Sequence, residues 1–207
     1  MSMMYPPGGG YPPGGYPPGG RGGYPPGGGL SNDPVVQALQ LALSGFGYNF
    51  YNTQNQARSD DLLVRGKASG YLSDAVNCLI TLAGAYQARH VPPLTREHPE
   101  PPREALAAVQ DIRDLQQEIA DLEGRVRGFS VPTADRIWGR FRQELMTLRQ
   151  LLQFDLDLVR GSEGIFQQAN NANADNWSSA YAQELRGQVR YLNQISQARE
   201  QFLRVPL

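Results

Sequence analysis

The chain of 207 residues contains one cysteine, two histidines and one lysine, and it has no long hydrophobic run. A single cysteine excludes an intramolecular disulfide and a zinc site made of several thiolates. His90 and His98 belong to no Glu-x-x-His pair and match no common zinc spacing, so we predict neither a metal site nor a cofactor. Without a signal-peptide pattern or a run of about 18 apolar residues, we expect a cytoplasmic protein that does not span a membrane.

The chain has no excess of charge of either sign, since it contains 19 basic and 20 acidic residues. A nucleic-acid-binding protein normally carries a basic excess that neutralises phosphates, so we expect no nucleic-acid partner. Lys67 is the only lysine, which we interpret as genome composition, with arginine-specific contacts as the alternative. Cys78 has no histidine on its helical element and is interpreted as a small hydrophobic residue. No serine or cysteine triad can be assembled, so we predict no catalytic residues and no enzyme.

What the chain does contain is a repeat at its start. Residues 1–29 hold Arg21 as their only charged side chain, together with four Tyr-Pro-Pro-Gly-Gly blocks that begin at Tyr5, Tyr11, Tyr16 and Tyr24. Pro-Pro favours polyproline II and Gly-Gly restores freedom, so we predict a disordered low-complexity tail. The tail is either a spacer or a binding element. In the second case, the tyrosines and Arg21 make weak contacts that multivalency strengthens.

The Tyr-Pro-Pro-Gly repeats resemble the low-complexity tails of annexins with long N-termini and of some scramblase-like proteins. The resemblance is compositional and covers residues 5–29. It implies recruitment of penta-EF-hand partners or condensation. Residues 30–207 contain no annexin-type repeat or calcium-loop pattern, so the function of those families does not carry over to this chain.

Residues 30–207 predict an all-α domain, an antiparallel bundle of four or five helices. Asp33-Pro34 supplies a helix start, and residues 34–89 form either two helices, which we favour, or one. A proline-rich connection follows over residues 90–102. A coiled-coil seam with heptad spacing then runs from Val109 to Phe129. Further apolar stripes run over residues 138–159 and, from a helix start near position 175, over residues 177–202.

Charged side chains flank these stripes. Asp111, Asp114, Glu118 and Asp121 form an acidic row on the predicted third helix, and we expect it to face Arg136, Arg140 and Arg149 on the fourth. The alternative is an exposed arginine face that binds acidic lipid or a protein partner. Its members would be Arg136, Arg140, Arg142, Arg149, Arg186 and Arg190. Separately, Phe46, Tyr48, Phe50 and Tyr51 lie on several sides of the first helix, which predicts an intermolecular packing surface.

These features favour a non-enzymatic interaction or scaffold protein. The helical bundle would be a platform, with a homo-oligomer as one form of it, and the tail would be a multivalent arm for protein partners. The alternative is a membrane-peripheral adaptor that uses the arginine face. The sequence leaves open the identity of the partner, the oligomeric state and the biological pathway.

Overall fold

The structure is a computed structural model that describes residues 33–43, 47–48, 50–51, 57–93, 100–129, 137–139, 141 and 144–204. Five helices are delimited within these ranges: α1 (Pro34–Leu43), α2 (Ala57–His90), α3 (Arg103–Gly128), α4 (Leu145–Asn171) and α5 (Ser179–Arg204). Residues 137–139 and 141 are helical as well, and the described ranges contain no strand. The all-α class is therefore confirmed.

The N-terminal region forms two helices, as we favoured. The Asp33 carboxylate accepts a hydrogen bond from the backbone N–H of Val35 at 2.8 Å, so it caps α1 ahead of Pro34. The Arg149 side chain bonds the same carboxylate at 2.5 Å and holds the pKa of Asp33 below its usual value. This ion pair fixes the start of α1 against the start of α4.

The four long helices share one core. α2 packs on α3 and α4, and α5 packs on the same two helices. The seam predicted from Val109 to Phe129 is buried from Val109 to Val126, whereas Phe129 lies just beyond α3 and is half-buried. Long-range contacts at the far end of α2 tie it to α4, including a hydrogen bond from the Arg89 guanidinium to Asp175, just beyond α4, at 2.8 Å.

Helix directions differ in part from the predicted antiparallel arrangement. Arg65 in α2 contacts the end of α3, and Tyr181 at the start of α5 contacts Gln168 at the end of α4. The pairs α2–α3 and α4–α5 are therefore antiparallel. However, Tyr71 of α2 stacks on Phe166 of α4 with ring centroids 6.0 Å apart, so these two contacting helices run parallel, and so do α3 and α5. Because successive helices alternate in direction, helices that are two apart in the chain run parallel. Here such helices are in contact, α2 with α4 and α3 with α5.

The fourth apolar stripe spans two structural pieces. Glu144 has an extended backbone, with φ −106° and ψ 97°, and it lies between α4 and the helical residues 137–139 and 141. α4 then continues through Gly161 and ends at Asn171. The missing side chain at Gly161 leaves room for Leu192 of α5, since an added Cβ would lie 2.7 Å from the Leu192 Cδ1. Gly161 therefore serves helix packing rather than helix termination.

This contact gives a prediction for Gly161→Ala. The new methyl group would overlap the fully buried Leu192, and overpacking costs about 1–3 kcal/mol. Gly187→Ala is the control on α5, because a Cβ there meets nothing within 4 Å and the change should stabilise the helix by about 1 kcal/mol. We expect urea denaturation to rank Gly187→Ala above wild type and Gly161→Ala below it. The reverse order would contradict the described packing of α4 on α5.

Candidate functional site

Four ionised side chains are buried together at one end of the four long helices. They are Asp61 and Arg65 of α2, Asp155 of α4 and Arg199 of α5, each at most 3% exposed. We call these four residues the buried ionic cluster. Charges this deep are tolerated only when they are paired and hydrogen-bonded, because removal from water costs several kcal/mol for each ion.

Asp155 lies at the centre of the cluster and has donors on both carboxylate oxygens. The hydroxyl groups of Tyr48 and Tyr51 donate to its Oδ2 at 2.8 and 2.7 Å. The Arg199 Nε donates to its Oδ1 at 2.7 Å. The Nη2 of Arg199 also donates to the Tyr51 hydroxyl oxygen at 3.2 Å, so Tyr51 connects the two charges. Three neutral or cationic donors therefore stabilise one fully buried carboxylate.

Asp61 joins the two guanidinium groups. Its Oδ1 lies 2.8 Å from the Nη1 of Arg199, and its Oδ2 lies 3.0 Å from the Nε of Arg65. The two atoms that lack an aligned hydrogen bond, Asp61 Oδ1 and Arg65 Nε, are thus held by ion pairing. Arg65 Nη1 donates to the Arg127 carbonyl at 3.2 Å and also contacts the Phe129 carbonyl. These carbonyl groups belong to the end of α3, where they have no partner within the helix.

The turn between α1 and α2 closes over the cluster. Phe50 and Tyr51 have φ values of +54° and +57°, a left-handed conformation that is unfavourable for residues with a side chain. The Asp60 Oδ2, in the first turn of α2, accepts the backbone N–H of Tyr51 at 2.7 Å. Tyr51 is 1% exposed and stacks on Trp138, with centroids 5.6 Å apart. Burial and hydrogen bonding therefore offset the backbone strain and fix this turn.

The cluster changes the protonation of its members. Burial raises the pKa of Asp155, against the opposite effect of Arg199 and the two tyrosine hydroxyls. Burial, followed by the nearby Asp155 charge, raises the pKa values of Tyr48 and Tyr51 well above their usual value. Burial lowers the pKa of Arg199, but the Asp155 charge and its neighbours outweigh it and raise that pKa well above normal. Both tyrosines and Arg199 therefore keep their protons at neutral pH.

The geometry suits positioning rather than proton exchange with a substrate. A general base must reach the proton that it abstracts, directly or through one water. Asp155 is 0% exposed, and both of its oxygens are covered by Tyr48, Tyr51 and Arg199. Since the cluster contacts α2, α4, α5, the end of α3 and the turn before α2, it fixes five parts of the chain to one another. Among the described residues, no group of three or more His, Cys, Asp or Glu side chains has the geometry of a metal site.

Surface cavities lie on the outside of the helices, and the one along α2 adjoins the cluster, because Gly47 and Asp60 line it. One of them, about 770 Å³, is an open groove along the first half of α2, and its lining also includes Ser59, Leu62, Gly66, Gly70 and Tyr71. Another, about 650 Å³, lies where the ends of α2, α3 and α5 meet, beside Tyr86, Trp177 and Arg186. The first groove is bordered by a half-exposed leucine and two glycines, which is the character of a contact surface.

The predicted site residues are mostly outside the described part of the chain. This holds for Tyr5, Tyr11, Tyr16, Tyr24 and Arg21 of the tail, and for Arg136, Arg140 and Arg142. Of the other arginines, Arg149 pairs with Asp33, and Arg186 pairs with Asp111 at 2.7 Å and with Glu118 at 3.2 Å. Arg190 is exposed on α5.

Two predicted surface roles need correction. Asp111 and Glu118 of the acidic row pair with Arg186 of α5, and Arg149 pairs with Asp33 rather than with this row, whereas Arg136 and Arg140 lie outside the described residues. The aromatic group at the first helix does not form an outer surface. Tyr51 is buried, Tyr48 is half-buried against Asp155, and Phe50 meets the Tyr48 ring edge-on with centroids 4.8 Å apart. Phe46 lies outside the described residues.

Sequence reasoning missed the buried ionic cluster, although a signal was present. The buried positions of α5 repeat at intervals of four and three residues: Leu185, Val189, Leu192, Ser196, Arg199 and Leu203. Extending that spacing beyond Leu192 places Arg199 inside, whereas a stripe made of apolar residues alone would continue through Ile195 and Phe202. Asp155 likewise follows Leu152 by three residues on the buried face of α4. A charged residue at a seam position is the signal that predicts such a cluster.

No helix among the described residues combines the length and apolar character needed to cross a membrane. No protein-family model, no curated protein and no solved structure matches this chain.

Proposed function

We propose that the protein is a cytoplasmic, non-enzymatic interaction or scaffold protein, in which the helical bundle is a platform that carries the Tyr-Pro-Pro-Gly-Gly region as a multivalent arm. The arm binds protein partners through its tyrosines, with Arg21 as an additional contact. Each block alone binds weakly, and four blocks on one chain raise the effective concentration of the next contact.

The fixed attachment of the N-terminal region to the platform is the observation that supports this proposal. Asp33 directly precedes α1 and is bound by Arg149 of α4 at 2.5 Å. At the other end of α1, Tyr48 and Tyr51 are bound by the buried carboxylate of Asp155. The first described residue after the arm, Asp33, is therefore held at a defined point on the helical platform.

The proposal is tested by affinity capture with the intact chain and with a chain that lacks residues 1–29. We expect both chains to unfold at the same temperature, because the deleted residues lie before the Asp33–Arg149 ion pair. We expect protein partners to be captured by the intact chain only. Equal capture by the two chains would contradict the role of the arm as the binding element.

The membrane-adaptor alternative receives less support. Attraction to acidic lipid depends on clustered, unpaired cationic side chains near the surface. Two of the three described members of the arginine face, Arg149 and Arg186, are neutralised by carboxylates of the same chain. Absence of binding to anionic vesicles at low ionic strength would dismiss this alternative.

A further inference from the structure

The outward face of α2 has an unusual composition for a helix surface in contact with water. Its central row, spaced at seven, four, seven, four and three residues, consists of Ser59, Gly66, Gly70, Asn77, Thr81 and Gly84. Exposed helix faces normally carry long charged side chains, which also favour the helical backbone. We call this row and its immediate neighbours the outer α2 face.

Among the described residues, nothing packs on the glycines of this row. A Cβ added at Gly66, Gly70 or Gly84 would meet nothing within 4 Å. Each glycine nevertheless weakens the helix by about 1 kcal/mol relative to alanine. In contrast, Gly161 of α4 lies directly under Leu192 of a neighbouring helix. Close approach by a partner outside the chain would give the α2 glycines the same role.

The row has two exposed apolar side chains on one side and two charged side chains of opposite sign on the other. Leu62 and Ile80 are 56% and 51% exposed and border the row on one side. On the other side, Asp74 is exposed, and Lys67 lies 4.7 Å from the centre of the Tyr71 ring. Along α2, the position halfway between Leu62 and Ile80 and the position halfway between Lys67 and Asp74 both lie within one residue of Tyr71.

We propose that the outer α2 face binds a second copy of this chain, with the two α2 helices antiparallel around a two-fold axis near Tyr71. In an antiparallel helix pair, residues on the same side of the contact meet each other across the axis. Leu62 then packs on Ile80 of the second copy, and Lys67 pairs with Asp74 of the second copy. Each contact occurs twice by symmetry.

The central row agrees with this axis to within one residue. Gly66 then lies near Asn77 of the second copy, and Gly70 lies near Ser73, so small side chains meet small side chains and the backbones approach closely. The row from Ser59 to Gly84 is roughly 38 Å long at 1.5 Å per residue. One helix of this length contributes a contact at the small end of protein interfaces, so we expect a dimer that forms with rising concentration. This inference goes beyond the proposed function, because the contact does not involve the tail.

Zero-length carbodiimide cross-linking of the intact chain tests the register. Lys67 is the only lysine, so amide bonds between its amine and a carboxylate of the second copy are distinguished by peptide mapping from those of the N-terminal α-amino group. We expect a covalent dimer in which Lys67 in the tryptic peptide 66–89 of one copy is joined to Asp74 in the peptide 68–89 of the other, or in its peptide 66–89 where both amide bonds form. A mixture of isotope-labelled and unlabelled chains identifies the link as intermolecular. Lys67→Arg keeps the charge and loses the cross-link, while sedimentation velocity should still detect its dimer.

Charge reversal provides the matched test. Lys67→Asp alone and Asp74→Lys alone place like charges opposite each other, and we expect each to weaken the dimer at least tenfold in sedimentation velocity. Mixing the two variants restores both ion pairs, so a heterodimer should form and cross-link. Both side chains are outside the core, so folding is not at risk. The inference is overturned if the wild-type chain stays monomeric at the highest soluble concentration. It is also overturned if both charge-reversal variants dimerise as strongly as the wild-type chain.

The dimer proposal and the proposed function can be contradicted independently of each other. The cross-link should persist in the chain without residues 1–29, because α2 lies wholly within the platform. Loss of the dimer with retained capture of partners would overturn this inference alone. Loss of capture with a retained cross-link would overturn the proposed function alone.

Discussion

Replacing Arg199 by methionine is expected to lower the free energy of unfolding at pH 7 by about 3–5 kcal/mol. The guanidinium group of Arg199 is 2% exposed and pairs with the carboxylates of Asp155 and Asp61 at 2.7 and 2.8 Å. Methionine fills a similar volume but leaves two buried carboxylates with Arg65 as the remaining cation of the cluster. Urea denaturation followed by circular dichroism measures the loss.

Two matched variants show whether the cost comes from the buried charge. Arg204→Met is the same substitution on the same helix, but Arg204 forms an exposed pair with Glu200, so we expect a loss of at most about 1 kcal/mol. Asp155→Asn removes one negative charge from the cluster and keeps an amide that can bond with the surrounding groups. We expect it to cost less than about 2 kcal/mol. Equal losses for all three variants would contradict the described pairing.

The pH dependence follows from the same geometry. Burial raises the pKa of Asp155 in the folded protein above its unfolded value. The stability contributed by such a group is fully present below the unfolded pKa and is lost as the pH rises through the folded pKa. Without Arg199, that loss is larger, because the ionised carboxylate has lost its cationic partner. The deficit of Arg199→Met relative to wild type should therefore shrink as the pH falls from 7 toward 4, and a constant deficit would contradict this cause.

Replacing Trp138 by alanine is expected to cost about 3–5 kcal/mol of stability. Trp138 is 1% exposed, stacks on Tyr51 at an interplanar angle of 11°, and contacts the Phe141 ring with centroids 6.1 Å apart. Its removal would leave a cavity above the turn that closes the buried ionic cluster. The unfolding midpoint in urea, followed by circular dichroism, reports the change.

Tyr191→Ala is the control for this aromatic truncation. Tyr191 is 57% exposed on α5, so we expect its removal to change stability by no more than about 0.5 kcal/mol. A loss below about 1 kcal/mol for Trp138→Ala would mean that the helical residues near position 138 do not pack on Tyr51 as described. The single remaining tryptophan, Trp177, provides a separate fluorescence signal from the other end of the platform.

The helical class and most core positions could be predicted from the sequence, because apolar spacing is a local property. The stripe from Val109 to Val126 of α3 is an example, since every member of that seam is buried. The pairing of helices was harder to predict. The acidic row of Asp111 and Glu118 suits any arginine-bearing helix, and only the three-dimensional arrangement selects Arg186 of α5.

The buried ionic cluster depends on residues far apart in the chain. Tyr51, Asp61, Asp155 and Arg199 each have an unremarkable polar interpretation when taken alone, as a surface group or a helix cap. Their burial follows only when four helices and the turn before α2 meet at the same end. A charged residue at a buried seam position indicates that an oppositely charged partner is present. The sequence does not identify which residue that partner is.

The role of the tail tyrosines is the central claim, and affinity capture with two tail variants of the intact chain tests it most directly. In one variant Tyr5, Tyr11, Tyr16 and Tyr24 are replaced by serine, and in the other by phenylalanine, which keeps the aromatic ring. If aromatic contacts carry the binding, the phenylalanine variant should capture the same partners as wild type, and the serine variant should lose them. Equal capture by the serine variant and wild type would contradict the claim and leave the tail as a spacer.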